Sequence, residues 1–262
     1  MLAVRAGAGR RRRDRLAGEE PMEVRVTDRS GRTTPVGITM RTPGDDFELA
    51  AGFLVAEGVV APGAITRVAY CDDVEGDQLY NVVTVTTSGE VALGEARRVA
   101  GTSACGICGR ASLDEVEVRC APPGPGPVVA ERVLLGLPAA MRAGQRVFEE
   151  TGGLHAAGLF DPDGTLRRLR EDVGRHNAVD KVVGGAALAG ELPLADRLLM
   201  VSGRAGFEIV QKAAVAGIPL VASVSAPSSM AADAAERFGM TLVGFLRGDG
   251  YNVYTGAERI AA

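Results

Sequence analysis

The chain has 262 residues, 46% of them apolar and 24% charged, with a formal net charge of −4, which places it among folded globular proteins long enough to bury a full core. So small a charge excludes the whole-molecule electrostatics of a nucleic-acid or membrane-surface binder, and no apolar run reaches the ~20 residues of a membrane span. Four cysteines in this length are too few for a secreted disulfide framework and fit thiols kept reduced in a cytoplasm.

Residues 1–20 carry the basic run Arg10 to Arg13, but Ala17, Gly18, Glu19 and Glu20 stand where a signal peptide would place its apolar stretch. They read as a disordered tail. Residues 22–40 alternate around the turn TDRSGRT as a β-hairpin. Thr42 is placed to cap a helix with Pro43 at its first position, Asp45 and Asp46 in its first turn, and Phe47, Leu49, Ala50, Phe53 and Leu54 as its apolar face up to Gly58. Residues 65–71 and 79–87 read as strands, VVTVTT being rich in β-formers.

The stretch GTSACGICG, 101–109, reads as a mobile loop ahead of a helix opening near Ser112. CAPPGPGPVV, 120–129, can continue neither helix nor ladder and reads as a linker. The boundary it implies separates an N-terminal α+β domain, 21–125, which carries the C-x-x-C loop, from a C-terminal domain, 126–262. There, residues 130–150 read as a helix split or kinked at Pro138. LHAAGLF and TLRRLRE form a hairpin around DPDG. Helices at 175–188, 205–216 and 229–238 then alternate with strands at 197–202, 219–224 and 240–246, the pattern of an α/β layer with parallel strands.

Three chemistries suit Cys105 and Cys108. Structural zinc needs about four ligands, and neither Cys71 with Cys120 nor His155 with His176 stands at a spacing known for such sites. LHAAG resembles the His-Ala-Glu of zinc deaminases, but Ala157 stands where the proton-shuttling Glu belongs. Dithiol exchange is favoured by a following helix start and by Arg110, which support a thiolate, although the long glycine-rich loop suits a sulfur that travels. Persulfide transfer is the third, and residue chemistry alone leaves it level with dithiol exchange. Elsewhere, EDVGRHNAVDK crowds Glu171, Asp172, Arg175, His176, Asn177, Asp180 and Lys181 into eleven positions at a strand end and helix start, suggesting a polar pocket. Ser202, Gly203 and Arg204 lie at a strand-to-helix turn suited to a phosphate. VSAPSS is another such turn, and GFLRGDG is a tight turn where backbone can approach a ligand. These features fall at strand ends, where open α/β sheets bind ligands.

GTSACGICGRASLDEV, TPGDDFELAAGFLVAEG, EDVGRHNAVDKVVG, SGRAGFEIVQKAA and GFLRGDGYNVYTG together, in this order, resemble the formate dehydrogenase accessory sulfurtransferase family over roughly residues 20 to 260. The resemblance implies a cytoplasmic, homodimeric sulfur carrier that accepts sulfur from a cysteine desulfurase. It would pass that sulfur to a molybdenum bis(molybdopterin guanine dinucleotide) before the cofactor is inserted into formate dehydrogenase. It also implies a cytidine deaminase-like C-terminal domain, with LHAAG as a relic, and GDP as a mimic of the bound cofactor. By motif, Cys105 would bear the persulfide with Cys108 as its partner, and Phe245, Leu246, Arg247, Gly248, Asp249 and Gly250 would lie at the cofactor. Ser202, Gly203, Arg204 and His176 are further candidates for contact, on spacing alone. A dithiol oxidoreductase and a non-catalytic cofactor chaperone are the competing readings.

Overall fold

The fold is described from a computed structural model that covers residues 1–5, 7–72, 77–92 and 121–262. Cys105, Cys108, Cys120 and the helix expected from Ser112 lie outside the described residues. The first twelve residues, expected as a disordered tail, hold an antiparallel ribbon of β1 (Leu2–Arg5) and β2 (Ala8–Arg11).

The expected hairpin forms as β3 (Glu20–Thr27) and β4 (Thr33–Arg41). With β5 (Ile65–Tyr70) and β6 (Val82–Thr87) it makes a sheet ordered β4-β3-β6-β5, in which β3 and β6 run parallel. The alternate residues Met22, Val24, Val26, Val83 and Val85 face inward onto α1 (Asp46–Ala56), against Leu49, Ala50 and Leu54. Thr42 does not cap this helix: Asp45, at φ 55°, precedes its first residue.

No helix or strand occupies residues 121–128. Beyond β7 (Val129–Ala130), α2 (Glu131–Gly144) runs through Pro138, and the break falls instead at Gln145, ahead of α3 (Arg146–Thr151). The hairpin β8 (His155–Phe160) and β9 (Leu166–Asp172) then leads into α4 (Arg175–Leu188). Next come β10 (Leu198–Val201), α5 (Phe207–Val215), β11 (Leu220–Ser223), α6 (Ser229–Arg237), β12 (Thr241–Arg247) and β13 (Gly250–Thr255). The short β14 (Ile260–Ala261) returns to pair with β7.

The larger sheet has the order β13-β12-β11-β10-β8-β9. Only β10, β11 and β12 are mutually parallel, so the expected parallel layer is a three-strand centre flanked by antiparallel pairs. Its central strands are buried on both faces. Leu199, Val201, Val221 and Leu242 meet α4, α5 and α6, whereas Leu198, Met200, Leu220 and Val243 meet Leu134, Leu137 and Met141 of α2.

The two sheets are joined through α1 and α4, which meet backbone to backbone. A Cβ added at Gly52 would lie 1.8 Å from the carbonyl oxygen of Asp180, and one added at Gly184 would lie 1.8 Å from that of Glu48. Val55 of α1 belongs to the core built on α4, so the smaller sheet and the larger share buried surface. Gly52→Ala and Gly184→Ala are each expected to cost at least the ~3 kcal/mol at the upper end of overpacking, because backbone cannot yield as a side chain does. Gly136→Ala, on the exposed face of α2 with open space around it, is expected to gain up to ~1 kcal/mol. Urea denaturation of the three variants reads both signs.

Candidate functional site

Polar side chains from EDVGRHNAVDK separate into two groups with different tasks. One ties the sheets together. Asp172, at the end of β9, is fully buried and meets Lys181 Nζ at 2.8 Å, itself 1% exposed. Lys181 also donates to the carbonyl of Thr42. The Thr42 N–H donates to Asp172, and its hydroxyl accepts from the N–H of Val173. Asn177 donates both to the Met40 carbonyl and to Asp172. Thr42 therefore clamps the β4 end to the start of α4, where sequence had assigned it a helix cap. Arg170 adds a two-pronged pair with Glu48 of α1. The clamp satisfies its buried charges internally, as buried ions require.

The second group lies where the parallel strands end. Register places Val201 of β10 opposite Ala157 of β8, which carries the next turn to the half-buried His155. A Cβ added at Gly203 would lie 3.2 Å from His155 Nδ1 and 3.5 Å from Arg175 Cδ, so the imidazole and the guanidinium stem pack closely against the turn, and a side chain there would push the imidazole by a few tenths of an ångström. Ser202 is partly committed to structure, its hydroxyl accepting from the Ala156 N–H, while Arg204 is exposed. Arg175 and His176 open α4, and Glu208 sits in the first turn of α5. His176 Nε2 and Glu208 Oε2 are 3.0 Å apart.

Burial dominates the proton affinities here. It pushes Glu208 up to about 7, against the pull of Lys212. It also drives His176 down to about 3, helped by Arg175 and Lys212. His155 is lowered too, by burial and then by Arg175, a setting hostile to a cation. The His176–Glu208 contact is thus better described as a hydrogen bond around one shared proton than as an ion pair. Behind it, Lys212 Nζ reaches Asp180 at 2.7 Å and Glu57, just beyond α1, at 3.6 Å. Complete burial raises Asp180 to about 6 even so. Burial works against the Lys212 charge as well, but Asp180, Glu57 and Glu208 outweigh it and hold the ammonium above its ordinary value. Two buried atoms in this region have no hydrogen-bond partner, Arg175 Nε and Glu208 Oε1.

The other expected contacts divide similarly. Phe245 is half-buried at φ 53°, an uncommon backbone for a bulky residue, and its N–H binds the Ser225 carbonyl beside the β11 turn. Leu246 is fully buried in the core against α2, so its side chain is a packing residue. Arg247, Gly248, Asp249 and Gly250 are exposed at the β12–β13 turn, with the Arg247 guanidinium 5.8 Å from the Phe245 ring centre. Glu208 and Lys212 had drawn no notice in the sequence, although a Glu within FEIV, between residues with no affinity for water, marks a buried acid. Among the described residues no helix is long and apolar enough to cross a membrane.

Residues 17–261 match the profile of the FdhD/NarQ family. A protein of Streptomyces coelicolor named sulfur carrier protein FdhD is 52% identical across all of this chain and 94% of its own length. A Mycobacterium tuberculosis protein of the same name is 50% identical over 95% of this chain and 92% of its own. A crystal structure from Desulfotalea psychrophila, of a protein titled for a formate dehydrogenase accessory role, superposes with a TM-score of 0.77. It is 25% identical and covers all of this chain and 97% of that one.

The ionisation of Glu208 has a signed consequence. Its folded-state value of about 7 stands above the ordinary 4.5, so between these the native state holds a proton that the unfolded state releases, and stability falls as pH rises. His176, lowered from 6.5 to about 3, works in the opposite sense between those values, so the comparison with a variant isolates the carboxyl. Glu208→Gln is expected to gain stability over the parent as pH rises from about 5 to about 8 in calorimetric melts, and a pH-independent difference would refute the assignment.

Proposed function

The chain belongs to the FdhD/NarQ family, and on that premise we propose that it is a sulfurtransferase serving formate dehydrogenase. It takes sulfur from a cysteine desulfurase as a persulfide on Cys105 and hands it to the molybdenum bis(molybdopterin guanine dinucleotide) before that cofactor enters the enzyme. The reading is carried by likeness along the whole chain to relatives named sulfur carrier proteins, in a sequence that holds Cys105 and Cys108 as C-x-x-C.

The loading step needs no outside oxidant. The Cys105 thiolate attacks the outer sulfur of the donor persulfide, the donor S–S bond breaks, and its electron pair leaves on the donor cysteine. Cys108 stands close enough in sequence to guard the new persulfide or to expel its sulfur. The strand-end region of the larger sheet supports the second half of the task. Its helix starts and Arg175, Arg204 and Arg247 offer donors and positive charge to a polyanionic dinucleotide. Phe245 and the exposed residues Arg247 to Gly250 flank the same sheet end, and GDP would reproduce one nucleotide half of the ligand. The protein would work in the cytoplasm as a homodimer, its partners being the desulfurase and formate dehydrogenase.

Incubation with a cysteine desulfurase and cysteine is expected to add one sulfur, about 32 Da, to the peptide bearing Cys105, and Cys105→Ala to abolish activation of formate dehydrogenase. An unmodified peptide, with activation intact in a Cys105→Ala, Cys108→Ala variant, would replace the carrier with a chaperone. Reduction of insulin by the parent protein would instead favour a dithiol oxidoreductase.

A further inference from the structure

We propose that the exposed Tyr80, at the edge of the smaller sheet, receives the arginine run Arg10 to Arg13 of a second copy of this chain, so that two copies exchange their N-terminal ribbons. The inference goes beyond sulfur transfer and rests on the reading above in one respect, that the protein is a homodimer.

Tyr80 is held out to solvent under constraint. Its φ of 52° is uncommon for a bulky residue, and hydrogen bonds fix it there. Its N–H donates to Gln78 Oε1, and the Gln78 amide donates in turn to the Cys71 carbonyl. Its own carbonyl accepts from Arg41, which is buried against Asp46. The Tyr80 ring meets Tyr70 edge-on at 5.3 Å, and Tyr70 meets Phe47 at 4.8 Å. The outer end of this row is open: Tyr80 is 59% exposed and Leu79, before it in sequence, 67%. Backbone strain that the surroundings enforce is a mark of ligand clamps, and an exposed aromatic face attracts a guanidinium through its π quadrupole. Asp72 and Asp77, both exposed, flank the Gln78–Cys71 bond and give the patch a negative rim.

The same sequence carries the complement. Six of its 29 basic residues fall within residues 1–15, which hold one acid, Asp14, so the rest of the chain is more acidic than the total of −4. Arg10 to Arg13 are exposed, and among the described residues none of them meets a carboxylate. The β1–β2 ribbon in which the run begins is a separate two-stranded sheet, with Leu2 and Val4 exposed. Such a ribbon is marginal in water without a surface to lie on.

The chain leads the arginines away from their own patch. Glu20 pairs with Arg41 beside Tyr80, but the strap before it passes Pro43 at Gly18 and Gly153 at Ala17, and Arg15 is tied to Glu150 of α3. The run lies beyond that tether, so reaching its own Tyr80 would require the chain to double back along the strap. The patch of a second copy imposes no such reversal, and exchange in both directions closes a two-fold dimer.

Lys181 and Lys212 are the only lysines of the chain and both are buried. In a Leu79→Lys variant an amine-reactive cross-linker therefore has two accessible targets, the introduced amine and the N-terminal amine, which is bonded to the Arg12 carbonyl. The peptide joining the N-terminus to position 79 is expected in the covalent-dimer band of a denaturing gel. By sedimentation equilibrium of the full chain, Tyr80→Asn, which keeps a residue tolerant of the same backbone, is expected to weaken the dimer roughly 10- to 100-fold, the range of an interface hot spot. Tyr80→Phe, which keeps the ring, is expected to leave it unchanged. Replacing Arg10 to Arg13 together by Ala is expected to match Tyr80→Asn, and the combination to lose no more than either alone, because both remove one contact. A junction confined to the monomer band, a dimer indifferent to Tyr80→Asn, or additive losses in the combination would each overturn the exchange and leave the homodimer standing. A parent protein monomeric at every concentration would overturn both. A failure of persulfide loading on Cys105 would count against the proposed sulfur transfer alone.

Discussion

The close approach of α1 and α4 is the constraint from which the rest of the architecture follows. Two helices whose glycines admit the opposing carbonyls cannot slide or rotate without backbone collision. Their contact fixes the smaller sheet, carried on α1, relative to the larger sheet, carried on α4. It also explains why α4 has no polar stripe. Asn177 through Ala187 are all buried, the helix being wrapped by α1, β8, β9 and α5.

Polar residues on such a helix have no water to face, and each must find a partner from another element. Asp172, Lys181 and Asn177 take the end of β4, while Asp180 takes Lys212 and, through it, Glu57. These pairs add little net stability over a well-packed apolar core, but losing one member would strand a charge. What they provide is register, since only one rotation of α4 satisfies them all. The His176–Glu208 pair lies at the outer end of the same helix, beside the strand-end turn at Gly203. Among the described residues, two of the buried side-chain atoms without a hydrogen-bond partner, Arg175 Nε and Glu208 Oε1, lie at that end, and Asp161 Oδ1 lies away from it.

Much of this organisation was legible in the residues, and for a physical reason. Strands with one covered face alternate, as in MEVRV, and turns announce themselves, as DPDG does between β8 and β9. Where a segment is buried on every side, periodicity carries nothing. Gly52 and Gly184, the points of closest contact between α1 and α4, are therefore marked by no pattern in the sequence. Pro138 looked like a break, yet α2 continues through it and stops at Gln145. Parallel pairing of the three strands that alternate with helices, β10, β11 and β12, followed from that alternation, and the antiparallel pairs that flank them from their turns. At the strand ends, the turn at Gly203 and the polar run at Arg175 and His176 were visible as separate stretches. Their meeting with Glu208 depends on the register of β8 against β10, which no local pattern encodes. Leu246 shows the reverse, a residue drawn into a motif by its neighbours while its own side chain serves the core.

The helix pair also sets a timetable. During synthesis α1 emerges with its glycine face bare, and α4, which must cover that face, begins about 120 residues later. At ordinary elongation rates that is an interval of the order of 10 s. For that time the hairpin, α1 and the strands around it form a half-finished object, with the small residues of α1 exposed to whatever else the cell offers. The fold closes only when distant parts of the chain meet, which makes this protein a slow assembler on the ribosome and ties its yield to what shelters the nascent N-terminal portion.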